Sequence, residues 1–263
     1  MFEALPYYLA AGALAGLTSG LLGLGGGIIV VPVLYWVFQG QGIAADAVMH
    51  YAVGTSLATI IFTSISSIHA HHRRGAVRWD VARWLAPGVA LGALLGAVAA
   101  DQIPSDGLRI LFGVFELLVA LQMGFLLIPQ AQRPLPGPSG LAACGGGIGL
   151  FSSLIGIGGG SFTVPLLHWC RVDMRQAVAT SAACGLPIAV MGSLGFIIMG
   201  WQEAQGTPGS MGYVYLPALF GIVGSSVVFA PLGAALAHRL PLTQLRWVFA
   251  GMLFLIAIKM LMG

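Results

Sequence analysis

Two glycine-rich tracts carry the strongest chemical signal in this 263-residue chain: Gly23-Leu24-Gly25-Gly26-Gly27 and Gly156-Ile157-Gly158-Gly159-Gly160. Each is followed by an apolar segment with a proline at the same offset, Pro32 and Pro165. Consecutive glycines disfavour helix and permit positive φ, so each tract should break a helix and leave free N–H groups at the start of the next one. Such termini sit at the positive end of a helix dipole and bind anions without a buried cation. Downstream of each tract lies a hydroxyl pair, Thr55-Ser56 and Thr180-Ser181. Hydroxyls at those places can replace part of an anion's hydration shell, or bond back to their own helix. The candidate binding residues are therefore Gly25, Gly26, Gly27, Thr55, Ser56, Gly158, Gly159, Gly160, Ser161, Thr180 and Ser181. Glycines of this kind also serve close helix packing. Their recurrence in two copies is what favours a site.

Around these residues the chain has the composition of a bilayer protein. Charged residues are 7% and hydrophobic residues 58%, against roughly 25% charged in soluble domains. Apolar stretches of about 20 residues, enough to cross a hydrocarbon core of about 30 Å, recur near 44–68, 81–100, 106–128, 175–200, 213–237 and 242–262. The first six residues hold no Lys or Arg and lack the basic start of a signal peptide. Cys144, Cys170 and Cys184 have no metal-ligand or disulfide spacing. His69, His71 and His72 fall where a loop begins, so no metal site and no cofactor are expected. The few arginines are scattered over short loops rather than gathered on a surface, which excludes a nucleic-acid partner. No nucleophile elbow, HExxH pair or Walker loop appears, so an enzyme is not expected.

The segment Gly16–Trp36 aligns with Gly149–Trp169 at more than half of its positions. Two further matches follow in the same order: Ala52–Ser56 with Ala177–Ser181, and Ile103–Arg109 with Leu240–Arg246. The chain thus reads as a first repeat over 1–130, a Pro/Gly-rich linker over 131–139 and a second repeat over 140–263.

As one helix, residues 5–37 would be roughly 50 Å long, too long for a single crossing. Either the tract kinks a crossing helix or it folds back as a re-entrant hairpin. If both tracts cross, the basic residues divide evenly between the two sides. If both are hairpins, Arg73, Arg74, Arg78, Arg83, Arg133, Arg171, Arg175, Arg239 and Arg246 share one side, and Arg109 and Lys259 take the other. The positive-inside rule favours hairpins. The expected fold is an all-α polytopic membrane protein of two inverted repeats, each a Gly-rich re-entrant hairpin plus three transmembrane helices. Both termini would lie outside the cytoplasm, and the hairpin tips would meet near the midplane. Glu116 is the only acid deep in an expected crossing, where such residues default to function and suit proton coupling. Its repeat counterpart is Leu253, so it stands outside the shared design.

The paired Gly-Leu-Gly-Gly-Gly27/Pro32 and Gly-Ile-Gly-Gly-Gly160/Pro165 motifs, with Thr-Ser early in the next helix, resemble the sulfite exporter TauE/SafE family, also called the toluene sulfonate uptake permeases. The resemblance covers essentially the whole chain. It implies a secondary transporter in a bacterial inner membrane that moves sulfite, sulfoacetate or another organosulfonate, with the glycine tips and Thr-Ser pairs at the site. Thiosulfate or a carboxylate, or a passive channel for anions, are the alternatives. The partners implied are the small sulfur anion and the lipid bilayer, with a homodimer left open.

Overall fold

The computed structural model describes residues 4–22, 26–125, 133–237 and 242–263, the side chains of 20–22, 231, 233–237 and 242–246 excepted. Ten α-helices account for most of it: α1 (Leu5–Leu22), α2 (Gly27–Gly40), α3 (Val48–Arg73), α4 (Trp79–Asp101), α5 (Ser105–Phe125), α6 (Pro138–Ile155), α7 (Gly160–Trp169), α8 (Met174–Met199), α9 (Leu216–Ala237) and α10 (Leu242–Met262). Between α8 and α9 a short 3-10 turn leads into a two-stranded antiparallel ribbon, β1 (Ser210–Met211) and β2 (Val214–Tyr215). The sequence reading had no place for this ribbon. Among the described residues five helices, α3, α4, α5, α6 and α8, are long and apolar enough to cross a membrane. Four of them match expected crossings. The fifth, α6, was expected as an arm of the second hairpin, and its 18 residues reach about 27 Å, so that arm is nearly a full span.

Local signals set the helix boundaries. Pro138 opens α6 at a position where its missing N–H costs nothing, and Gly156 closes it in the left-handed conformation, φ 79°. Asp173 caps α8, its carboxylate accepting from the Arg175 N–H at 2.9 Å. Ser105, at the start of α5, accepts from the Met49 N–H at 3.0 Å and ties that end of α5 to the start of α3.

Helices α1 and α2 form a hairpin. Tyr8, early in α1, donates its hydroxyl proton to Gln41 just past α2 at 2.9 Å, and its ring packs edge-on against Phe38. Helices α6 and α7 do likewise: the Arg133 N–H ahead of α6 donates to the Trp169 carbonyl at the end of α7, and the Arg133 guanidinium lies over the Trp169 ring. The long helices α3 and α8 pack against each other. Thr55, early in α3, meets Tyr215 beyond the end of α8, and Thr180, early in α8, meets Arg78 beyond the end of α3, so the two run antiparallel.

The packing is reciprocal between the halves. Helix α1 lies on α9 and α6 lies on α4, while α5 pairs with α10. Glycine brings the first two pairs together. A Cβ on Gly92 of α4 would stand 2.0 Å from the Gly146 carbonyl oxygen of α6, and one on Gly12 of α1 would stand 2.3 Å from the Ile222 carbonyl oxygen of α9. Small residues allow this backbone approach in lipid, where no hydrophobic drive presses helices together.

Candidate functional site

The glycine tips of the two hairpins touch. A Cβ on Gly27 would lie 2.6 Å from the Gly156 carbonyl oxygen and 3.2 Å from the Ile157 Cα. Gly26 precedes α2 and accepts from the Ile29 and Val30 N–H groups; Gly159 precedes α7 at φ 74° and accepts from Phe162 and Thr163. That positive φ is why glycine stands there. Gly25 lies outside the described residues.

The Thr-Ser pairs divide their labour. Thr55 accepts from the Tyr215 N–H at 2.9 Å and Thr180 from the Arg78 N–H at 3.0 Å. Tyr215 and Arg78 are the residues immediately ahead of α9 and α4, so each threonine satisfies a backbone donor at the start of a helix in the opposite half. Ser56 donates to the Gly156 carbonyl at 2.8 Å and holds the second tip against α3. Ser181 instead donates to Val178 within its own helix.

Beside the second tip is a cavity of about 30 Å3, lined by Ser19, Thr63, Ser64 and Ser67 together with Gly158, Gly160 and Ser181. Of the residues expected from sequence, these last three face it. Gly26, Gly27, Thr55, Ser56, Gly159 and Thr180 are buried in the surrounding contacts, and Ser161 is the second residue of α7, half-buried. The α3 hydroxyls were missed. Thr63, Ser64 and Ser67 continue down α3 the face that carries Ser56 and Ile60, at helical spacing, and that stripe is the signal that would have found them. Ser64 is only 6% exposed and has no hydrogen-bond partner among the described residues. Among the described residues no charged side chain lines the cavity.

A second, wider cavity of about 640 Å3 lies by the mouth of the first hairpin, where Gln41, Tyr51, Thr207 and Tyr215 line it with the carboxylate of Glu203. Tyr51 is buried and its hydroxyl is unpartnered. On the adjoining ribbon Tyr213 contacts Asp101 at 3.3 Å; burial first, and then that carboxylate, push its phenol above the usual range.

Glu116 is fully buried and neither carboxylate oxygen has a partner among the described residues. It lies on the inward face of α5 with Leu108, Phe112 and Val119. Arg109 near the start of α5 donates to the Met260 carbonyl near the end of α10, and Gly113 abuts Leu261, so the two helices are antiparallel. Glu116 is not among the residues lining the hydroxyl cavity.

Two helices of membrane-spanning length, α3 and α8, contribute residues to this hydroxyl-lined cavity. The chain belongs to the sulfite exporter TauE/SafE family, whose model matches residues 8–260. It is 35% identical over 262 residues to a probable membrane transporter protein of Haemophilus influenzae, covering 99% of both chains. It is 28% identical to one of Methanocaldococcus jannaschii, over 98% of this chain and 96% of the other. A Bacillus subtilis probable membrane transporter protein, YunE, is 29% identical over 72% of this chain and 77% of its own. No solved structure matches.

Proposed function

We propose that this chain is a secondary transporter carrying a small sulfur-containing anion, sulfite or an organosulfonate such as sulfoacetate, across a bacterial inner membrane by alternating access. The observation that carries the reading is the cavity beside the second hairpin tip, which Gly158, Gly160, Ser19, Ser64 and Ser67 help to line. Such neutral donors suit the several oxygens around a tetrahedral or pyramidal sulfur. The family description names sulfite, which agrees with that chemistry.

Alternating access needs two halves that exchange roles. We take 1–130 and 140–263 as inverted repeats joined by 131–139, on the support of the reciprocal packing and the hairpins. Arg73, Arg74, Arg78, Arg83, Arg133, Arg171 and Arg175 follow or precede helix ends gathered around the start of α8, whereas Arg109 and Lys259 belong to the opposite end. By the positive-inside rule the former end is cytoplasmic and both termini face outward. Glu116, buried without a partner, is the group we assign to proton coupling.

The test is a ligand screen on purified protein. Stabilisation by a bound anion follows RT ln(1 + [L]/Kd), so sulfite, thiosulfate, sulfoacetate, taurine, sulfate and acetate should raise the unfolding temperature by different amounts, with sulfite ahead of acetate. An equal response to all six would defeat the assignment of substrate class.

A further inference from the structure

We propose that the hydroxyl cavity binds its anion in the singly charged state, so that sulfite enters as hydrogensulfite and one proton crosses with each ion; this rests on the reading of that cavity as the anion site. Among the described residues every group lining the cavity is neutral: Ser19, Thr63, Ser64, Ser67 and Ser181 supply hydroxyls, and Gly158 and Gly160 supply backbone. Thr63 and Ser181 already spend their protons on the Ile60 and Val178 carbonyls. Ser64 has an unpartnered hydroxyl and is buried to all but 6%. Its oxygen stands 3.2 Å from where a Cβ on Gly185 would be, with the Gly158 carbonyl oxygen 3.0 Å from that same point. A backbone carbonyl and the Ser64 hydroxyl thus lie near one another among the residues that line the cavity, and a carbonyl at that place repels a dianion and accepts the O–H of a protonated one.

The electrostatics point the same way. The cost of taking an ion out of water rises with the square of its charge, whereas the return from fixed neutral dipoles rises only with its first power. A dianion in a buried site gains more from a cationic partner than a monoanion does, and among the described residues no Lys, Arg or His lines this one. Size adds a second restriction. A cavity of about 30 Å3 has room for about two water molecules, which suits an ion of a few heavy atoms. Sulfite is the informative probe because its second ionisation falls near neutral pH, so the two charge states can be populated in turn without unfolding the protein.

Binding to the purified full-length protein should be measured for sulfite, sulfate and nitrate from mildly acidic to mildly alkaline pH. The apparent sulfite Kd should rise about tenfold per pH unit above that second ionisation, as linkage requires, while the Kd for nitrate, a monoanion throughout, stays flat. Sulfate, a dianion throughout, should bind at least a hundredfold more weakly than sulfite does at the acidic end. Ser64→Ala should weaken sulfite about ten- to a hundredfold, as loss of a hydrogen bond to a charged group does. Ser67→Lys, which places a cation at the cavity, should raise sulfate affinity at least tenfold. A flat sulfite profile, or sulfate binding as tight as nitrate, overturns the proposal, and a monodisperse Ser67→Lys protein with no gain for sulfate overturns the cavity as the source of charge selection. Nitrate binding without any sulfur anion overturns the sulfur cargo and supports the charge rule; binding of no anion at all overturns both.

Discussion

Thr55 and Thr180 are the residues whose meaning changed most between chain and fold. Their hydroxyls accept backbone protons at the starts of α9 and α4, and loss of a capping acceptor costs about 0.5–2 kcal/mol. Thr55→Val and Thr180→Val should each lower the unfolding temperature, and Thr55→Ser should restore most of the loss; thermal unfolding in detergent measures it. The sequence reading placed these threonines on the ligand, and weaker anion binding in a valine variant of normal stability would support that placement. The pairs were legible because they recur at matched positions. Their partners were not, since Tyr215 and Arg78 lie 160 and 102 residues away along the chain and donate through backbone groups that every residue has. Glu116 was legible as the sole acid deep in an apolar run, and its burial without a partner fits that isolation. Glu116→Gln should abolish the dependence of organosulfonate transport on a pH gradient, since that cargo carries no proton of its own, and leave anion binding measurable. Full pH-driven uptake by the variant, assayed in proteoliposomes, would give Glu116 a structural part only.

Among the helices, contact is a matter of glycine. Gly88, Gly92 and Gly96 recur every fourth residue along α4, and a Cβ on them would come within 2.0, 2.0 and 2.4 Å of the Ala142, Gly146 and Leu150 carbonyl oxygens of α6. Backbone cannot yield as a flexible side chain can, so Gly92→Ala should remove the monodisperse peak in size-exclusion chromatography. Gly147→Ala is the control: nothing lies within 4 Å of its added methyl, and alanine's helix propensity exceeds glycine's by about 1 kcal/mol, so it should be neutral or slightly stabilising. This four-residue spacing is present in the chain, where the denser glycine tracts give the stronger signal. In the structure α1 packs beside α2 and α6 beside α7 as helical hairpins. Their arm lengths were less readable, since the 18 residues of α6 end on the left-handed Gly156 rather than on any change in hydropathy.

For the molecule as a whole, the division of arginines is the property that a label can read. In a cysteine-free background, single cysteines at Arg74, Arg133 and Arg175 should be shielded from an impermeant thiol reagent outside intact cells, and cysteines at Asp46 and Glu203 should react. Reaction at 175 with shielding at 133 would mean that the second glycine tract crosses the membrane. The reciprocal capping by Thr55 and Thr180 bears on how such a chain is made. During synthesis the Arg78 N–H ahead of α4 emerges about a hundred residues before the hydroxyl that satisfies it, and the nascent first half must wait, with a donor unmet and its glycine faces bare, for its complement to leave the ribosome. Fragments 1–130 and 131–263 should each be degraded when expressed alone and should accumulate together when co-expressed, which a pull-down of one tagged fragment by the other would reveal. Maturation is then a second-half event: the chain is no stable object until its last third has been translated.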